Sequence, residues 1–242
     1  MRIDALIDRL AVDGPALADA AGEAGPDAAV PGCPGWSIRD LIVHTGGIHR
    51  WATDIVRSAR ETTDTAAGEA VGTAPEGDLI AWFSAGHADL VSALRAAPDA
   101  LRCATFLPAP SPRAFWARRQ AHETAIHRAD AEAALGRIPA FDATFAQDGI
   151  DELLTGFAAR RGNAVAEAGT MALRITDGPG RLVTFGGPRT VTVTVPDPQA
   201  DAEVVGTASD LYLWLWHRPS AARVLGDAAV AARWDAVTVT WS

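Results

Sequence analysis

Six histidines are spread over 242 residues, and helical spacing separates those that could share a metal ion from those that could not. At about 100° per residue, helix positions four apart fall within about 40° of each other, while positions five apart diverge by about 140°. Glu123 and His127 therefore share a face, whereas His122 and His127 do not. The run from His122 to His127 superficially resembles the HExxH pattern of zinc proteases, but its extra residue sends the two histidines to different faces. We reject a protease on that ground. A second segment supplies a complement, because Leu41, His44, Ile48, Trp51 and Ile55 form an apolar stripe with a single histidine in it. One His from this helix plus Glu and His from the other gives three N/O donors, the number a catalytic zinc keeps while leaving a fourth position open.

Trp116, Arg119, Glu123, His127 and Asp130 follow one helical stripe, so the face that should look into the protein is polar. Spacing alone admits plainer readings beside the metal site. Glu123 and His127 could be an exposed helix pair, and His44 a core histidine with a satisfied hydrogen bond. Arg119 and Asp130 could form ion pairs on the helix face, or could orient the ligands and a substrate carboxylate. His49 and His122 should face away from the metal, His87 is a core-edge residue or a neighbour of the site, and Cys33 reads as a small buried hydrophobe.

These side chains need helices to place them. Residues 2–24 form an Ala-rich helical stretch, interrupted or kinked at Gly14-Pro15, and residues 30–36 are a turn-rich connector. Ser37 with Asp40 three residues on is a capping box with Asp in the usual Glu position, which starts a helix over about 38–59. A loop over 61–76, a helix over about 77–96 and a helix entered at Pro112 and stopped at Gly136 complete a four-helix bundle. After residue 170 the apolar period changes from helical to two, so a second domain follows. We divide the chain into a bundle over residues 1–140 and a smaller α+β domain with a mostly antiparallel sheet over 141–242. The second domain should contain a helix over 143–161, strands over 171–176, 182–185 and 190–195, a helix over 208–217 capped by Thr207 or Ser209, a short helix over 227–233 and a final strand over 237–241.

Composition narrows the function classes. Thirty acidic against 21 basic residues give a net charge of −9, and no arginine run offers the stripe a phosphate backbone needs, which argues against nucleic acid. The first ten residues lack a signal-peptide core and no apolar run approaches the roughly 20 residues of a membrane span. Two isolated cysteines, Cys33 and Cys103, suit neither a disulfide framework nor a Cys-based zinc site. A cytoplasmic protein without a membrane partner is the expectation, with a monomer favoured. The chain holds 51 alanines and no lysine, a bias that points to a GC-rich coding sequence.

The segment from Pro31-Gly32-Cys33-Pro34-Gly35-Trp36 through His44, the run His49-Arg50-Trp51-Ala52 and the segment from Arg119 through Glu132 resemble the mycothiol-dependent maleylpyruvate isomerase family. Its N-terminal domain belongs to the DinB-like metal-binding bundles. The segment Gly206 to Arg218 and Gly226-Asp227 also resemble that family's second domain, which is similar to sterol carrier proteins. Carried over residue by residue, the resemblance implies His44, Glu123 and His127 as zinc ligands, the three that helical geometry selected. It further implies mycothiol, an actinobacterial cytosolic thiol, as cosubstrate, and an arginine of the second domain that holds an anionic substrate. Arg218 is the candidate for that role, with Arg223 open; for Arg218 the plainer reading is a helix-end arginine meeting carbonyl groups.

Zinc with an open position stabilises a thiolate and so generates a nucleophile at neutral pH. In an isomerase the thiolate would add to a conjugated cis double bond, allow rotation about the resulting single bond and leave to give the trans isomer. In an S-transferase the sulfur would stay on the product, and the ligand set serves both reactions equally. A different class of reading is a non-catalytic protein that binds metal or an apolar ligand through the carrier-like domain, with Trp214 and Trp216 lining a pocket.

Overall fold

The computed structural model describes all residues except 64–76, 161, 162, 164, 188, 196–198 and 240–242, so most of the loop expected over 61–76 lies outside the described residues. The chain divides into two compact units, Met1–Pro139 and Ala140–Ser242.

Among the described residues the first unit has four helices: α1 (Ile3–Ala24), α2 (Ile38–Ser58), α3 (Leu79–Ala96) and α4 (Pro112–Ala134). Their starts follow from local chemistry. The Ser37 side chain accepts from the Asp40 amide while the Asp40 carboxylate accepts from the Ser37 amide, closing the capping box that sets the start of α2. Ser111 caps α4 with Pro112 in its first turn, and Asp78 caps α3. Of the interruption or kink expected at Gly14-Pro15, the interruption does not occur. The helix assignment of α1 runs through Pro15, whose ring is exposed, while Asp13, Gly14 and Leu17 on the other face are buried. Packing of that face outweighs the local cost of proline.

Close approach of the helices relies on glycine at particular crossings. A Cβ on Gly14 would overlap the imidazole of His87, and one on Gly46 would overlap the indole of Trp82. His87 lies buried against α1 with its ring nitrogen 2.9 Å from the Leu10 carbonyl, and burial lowers its pKa. Arg50 from α2 lies over the Trp82 ring at 3.8 Å and donates to the Trp82 carbonyl at 2.6 Å. The connector before α2 is equally well tied. Val30 donates to the Trp36 carbonyl, Trp36 donates to the Cys33 carbonyl, and Ala29 and Ser37 form an isolated bridge.

Charge is buried with its partners. Asp13, fully buried on α1, accepts from Arg9 at 2.6 Å and from Arg128 of α4 at 2.8 Å. The α4 helix is buried on most of its circumference, with Trp116, Arg119, His127 and Asp130 all inside.

The second unit is α+β. Its five-stranded sheet has the order β3-β2-β1-β4-β5, with β1 (Gly169–Ile175), β2 (Gly180–Phe185), β3 (Val191–Val195), β4 (Ala202–Gly206) and β5 (Arg223–Gly226). β1 and β4 are parallel and every other neighbouring pair is antiparallel. Met171, Leu173, Val183, Phe185, Ala202 and Val204 form the buried face. Helix α5 (Ala143–Asp151) continues as a π-helical segment over Glu152–Phe157, ending short of the expected 161. Helix α6 (Ala208–Leu215) starts at Thr207, which makes a second capping box with Asp210. A short helix α7 (Ala228–Ala231) continues into a 3-10 turn, Ala232–Ala236.

Two strands, β4 and β5, were not anticipated, and the strand expected over 237–241 is absent from its described part, residues 237–239. There the Asn163 side chain takes the place of a sheet neighbour, accepting from the Thr238 amide at 2.9 Å and donating to the Thr238 carbonyl at 2.8 Å.

The crossing at Gly14 yields a direct test. Gly14→Ala is expected to lower the stability of the folded chain by about 1–3 kcal/mol, because the added methyl must displace the His87 ring. Urea unfolding of this variant beside Gly22→Ala, where a Cβ meets nothing within 4 Å, measures the difference.

Candidate metal centre

The capping box fixes where α2 begins, and with it the side of the helix on which His44 emerges. α2 and α4 then bring three donors together: His44, Glu123 and His127 each offer an atom within 4.8 Å of the others. The Glu123 carboxylate is the hub. Its Oε1 is 3.4 Å from His44 Nε2 and 3.2 Å from His127 Nε2, while Oε2 accepts from Arg119 Nη2 at 2.9 Å. The two imidazoles meet edge to face with ring centroids 5.2 Å apart.

Asp130, fully buried, holds the opposite side of the His127 ring, with Oδ2 3.0 Å from Nδ1. Arg119 is 3% exposed and is engaged with Glu123, so it supports the carboxylate. His49 and His122 lie outside the donor group, as their spacing implies: His49 is buried with Nε2 2.8 Å from Thr124 Oγ1, and His122 is fully buried. His87 belongs to the α1 crossing. Arg218 lies in the second unit just after α6, where His217 in the left-handed region turns the chain. Its guanidinium donates to the Trp216 carbonyl at 2.7 Å, the helix-end contact that was the plainer of its two readings. Trp216 is buried and meets the Phe157 ring, with centroids 6.2 Å apart.

Helical periodicity could not find two further neighbours of the donor group, because both sit on the connector before α2. The Trp36 ring lies 4.9 Å from the His44 ring and stacks over His127 at 6.3 Å. Cys33, expected as a small buried hydrophobe, is half-buried beside the apolar cluster and directs Sγ to Asp130 Oδ2 at 3.5 Å. The signals for them were the density of turn residues and their place in the segment that carries the family resemblance.

The donor set fits a divalent ion. Two N/O ligands about 2.0–2.2 Å from one tetrahedral ion stand about 3.4 Å apart, and the N···O separations here match that spacing. Without an ion the group is a charged hydrogen-bonded cluster. Burial pushes the Glu123 pKa up, but hydrogen bonds from His127 and His44 and the Arg119 charge outweigh it, holding the carboxyl well below its usual range. Burial likewise works against protonated His127, and hydrogen bonds to Asp130 and Glu123 overcome it, raising the pKa to about 9.

A folded-state pKa above the ordinary 6.5 means that this interaction stabilises the metal-free chain fully below about pH 6.5 and is lost as pH rises through about 9. In chelator-treated protein, an NMR titration should place the His127 ring transition near pH 9. Asp130→Asn should move it down by about one unit or more, since a neutral amide stabilises the imidazolium less than a carboxylate does.

Comparison with known proteins adds the family. The Mycothiol maleylpyruvate isomerase N-terminal domain model matches residues 7–132, and the MDMPI C-terminal domain model matches residues 144–233. Among solved structures, the mycothiol-dependent maleylpyruvate isomerase superimposes with a TM-score of 0.62 at 15% identity, covering 93% of each chain. A histidine-to-alanine variant under the same name gives a TM-score of 0.60 at 14% identity, covering 88% of each chain. No curated protein matches the sequence. The two structural likenesses concern the fold, a helical N-terminal region followed by a small mixed-sheet domain. The two family models together account for most of the chain, and this protein belongs to the mycothiol maleylpyruvate isomerase family.

Proposed function

We propose that this protein is a mycothiol-dependent cis-trans isomerase of a small conjugated acid such as maleylpyruvate, with a zinc ion held by His44, Glu123 and His127. The observation that carries the reading is the donor group itself: two imidazoles converging on one carboxylate oxygen, at separations suited to a tetrahedral ion, inside a family-matched bundle. When bound, a zinc ion with an open position supplies the Lewis acidity that keeps a thiol ionised at neutral pH.

The protein's own groups prepare that chemistry. Asp130 accepts a hydrogen bond from His127 Nδ1–H, which orients the ring and, once Nε2 is deprotonated, would leave its lone pair for the ion. Arg119 occupies the outer oxygen of Glu123, fixing the carboxylate plane and leaving the inner oxygen toward the imidazoles. Trp36 covers one side of the two rings and limits water there. The mycothiol thiolate would add to one alkene carbon, the π electrons moving onto the conjugated carbonyl as an enolate; the resulting single bond rotates, and collapse of the enolate re-forms the double bond and expels the thiolate with its electron pair.

Metal analysis of purified protein should give zinc near one equivalent, lowered in His44→Ala. With maleylpyruvate and catalytic mycothiol, the trans product should accumulate while total mycothiol stays constant. Arg119→Met should weaken zinc binding or activity about 10–100-fold. Zinc content unaffected by His44→Ala would sink the metal assignment. Stoichiometric consumption of mycothiol would make the reaction an S-transfer, and metal binding without response to mycothiol would favour the non-catalytic alternative.

A further inference from the structure

Among the described residues a second donor group shares His127 and Asp130 with the first centre and adds Cys33, which the proposed reaction does not use. Cys33, Asp130 and His127 also place one ligand atom each within 4.8 Å of one another. Sγ of Cys33 is 3.5 Å from Oδ2 of Asp130, and the same oxygen is 3.0 Å from Nδ1 of His127. The S···O separation matches the about 3.5 Å of a tetrahedral ion with sulfur at about 2.3 Å and oxygen at about 2.0 Å, while the 3.0 Å N···O separation is that of a hydrogen bond and must widen toward about 3.4 Å on binding. The group joins a thiol, a fully buried carboxylate and an imidazole nitrogen, and it uses the face of His127 opposite to the first site.

We propose that Cys33 Sγ, Asp130 Oδ2 and His127 Nδ1 form a second cation site, selective for thiophilic divalent ions, which competes with the first site for the proton of one imidazole. A thiolate ligand favours soft ions, whereas the His/Glu/His set has none. The competition follows from the ring. A neutral imidazole carries a single N–H, so its two nitrogens cannot both offer lone pairs. An ion at the first site needs the Nε2 lone pair and leaves the N–H on Nδ1, donating to Asp130. An ion at the second site needs the Nδ1 lone pair and leaves the N–H on Nε2, donating to Glu123 across the observed 3.2 Å. Occupation of the second site sends the Cys33 thiol proton to solvent and reverses the His127 tautomer. It also withdraws Asp130 from its support of the first site. A thiophilic ion is therefore an antagonist of zinc without touching His44 or changing the bundle.

The second site stands independently of the zinc reading; the antagonism rests on it. Cadmium ion is the probe, because its thiolate complex absorbs in the ultraviolet by charge transfer. Full-length protein treated with a chelator should develop that absorption on titration with Cd2+ and saturate it with one thiolate-bound equivalent. Cys33→Ser should abolish the absorption. His44→Ala, which lacks a first-site ligand, should retain it, and zinc should be lost fully only when His44→Ala is combined with Cys33→Ser. Prior loading with zinc should weaken Cd2+ at the thiolate site about tenfold or more, and Cd2+ should weaken zinc by the same factor. The second site is overturned if no thiolate absorption appears, or if it survives Cys33→Ser, which would place the ion on Cys103. Additive binding of the two ions overturns the antagonism. Zinc retention in the His44→Ala/Cys33→Ser double variant would instead overturn the first-site assignment alone.

Discussion

The constraint on which the first unit is built is the burial of charge on α4. Arg119, His127, Arg128 and Asp130 are all buried, and Glu123 is half-buried among them. An ionised side chain taken out of water without a partner costs several kcal/mol, so such a helix folds only where neighbouring elements bring complementary groups. α1 brings Asp13 to Arg128, α2 brings His44 to Glu123, and the connector before α2 brings Cys33 to Asp130. The polar contacts of α4 thereby fix its register against its neighbours more tightly than an apolar face would. Glu123 is held on both oxygens, and His127 on both nitrogens.

Small residues make that arrangement sterically possible. Alanine recurs along the inner faces of α1 and α4, at Ala18, Ala21, Ala117, Ala121 and Ala125, all buried. It adds little volume between backbones and carries the best helix propensity, which offsets the polar residues interleaved with it. Glycine takes over at crossings where even a methyl is excluded, against His87 and Trp82. The alanine-rich composition serves close packing, and the absence of lysine leaves arginine and histidine as the only side-chain cations. Arginine suits these buried positions because its planar fork can satisfy several acceptors from one side chain. Asp13 shows the result, taking two hydrogen bonds from Arg9 and a third from Arg128.

What could be read from the sequence followed the range of the physics involved. Three donors on two helices were legible because 100° per residue is a property of any α-helix, and capping-box chemistry located one of those helices to within a residue. The placement of Trp36 and Cys33 was not, since a turn has no period and its side chains are aimed by tertiary contacts. The alternation at 190–195 became β3, whereas a similar alternation near the C-terminus met the Asn163 amide, which a one-dimensional pattern cannot show. β5 escaped for the opposite reason: it is an exposed edge strand, and no buried face imprints alternation on its sequence. Pro15 does not interrupt α1, because propensity is local and the packing of α1 on α4 is not.

In the proposed reading, the charge count of the candidate centre would let an acidic protein hold a thiolate. Two neutral imidazoles and one carboxylate carry a single negative charge. A divalent ion bound to them leaves a net positive site, and Arg119 stands behind the carboxylate to add to that field. A thiolate brings the ligand set to neutrality, which hydroxide from water would also do, but the softer sulfur is the better ligand for a zinc-like ion. The same count opposes the Cys33 side. Asp130 and a Cys33 thiolate together carry two negative charges, so an ion held there is already neutralised and has little electrostatic pull on a further anion. Of the two faces of His127, only the one turned to His44 and Glu123 has the charge to recruit a thiolate from solution.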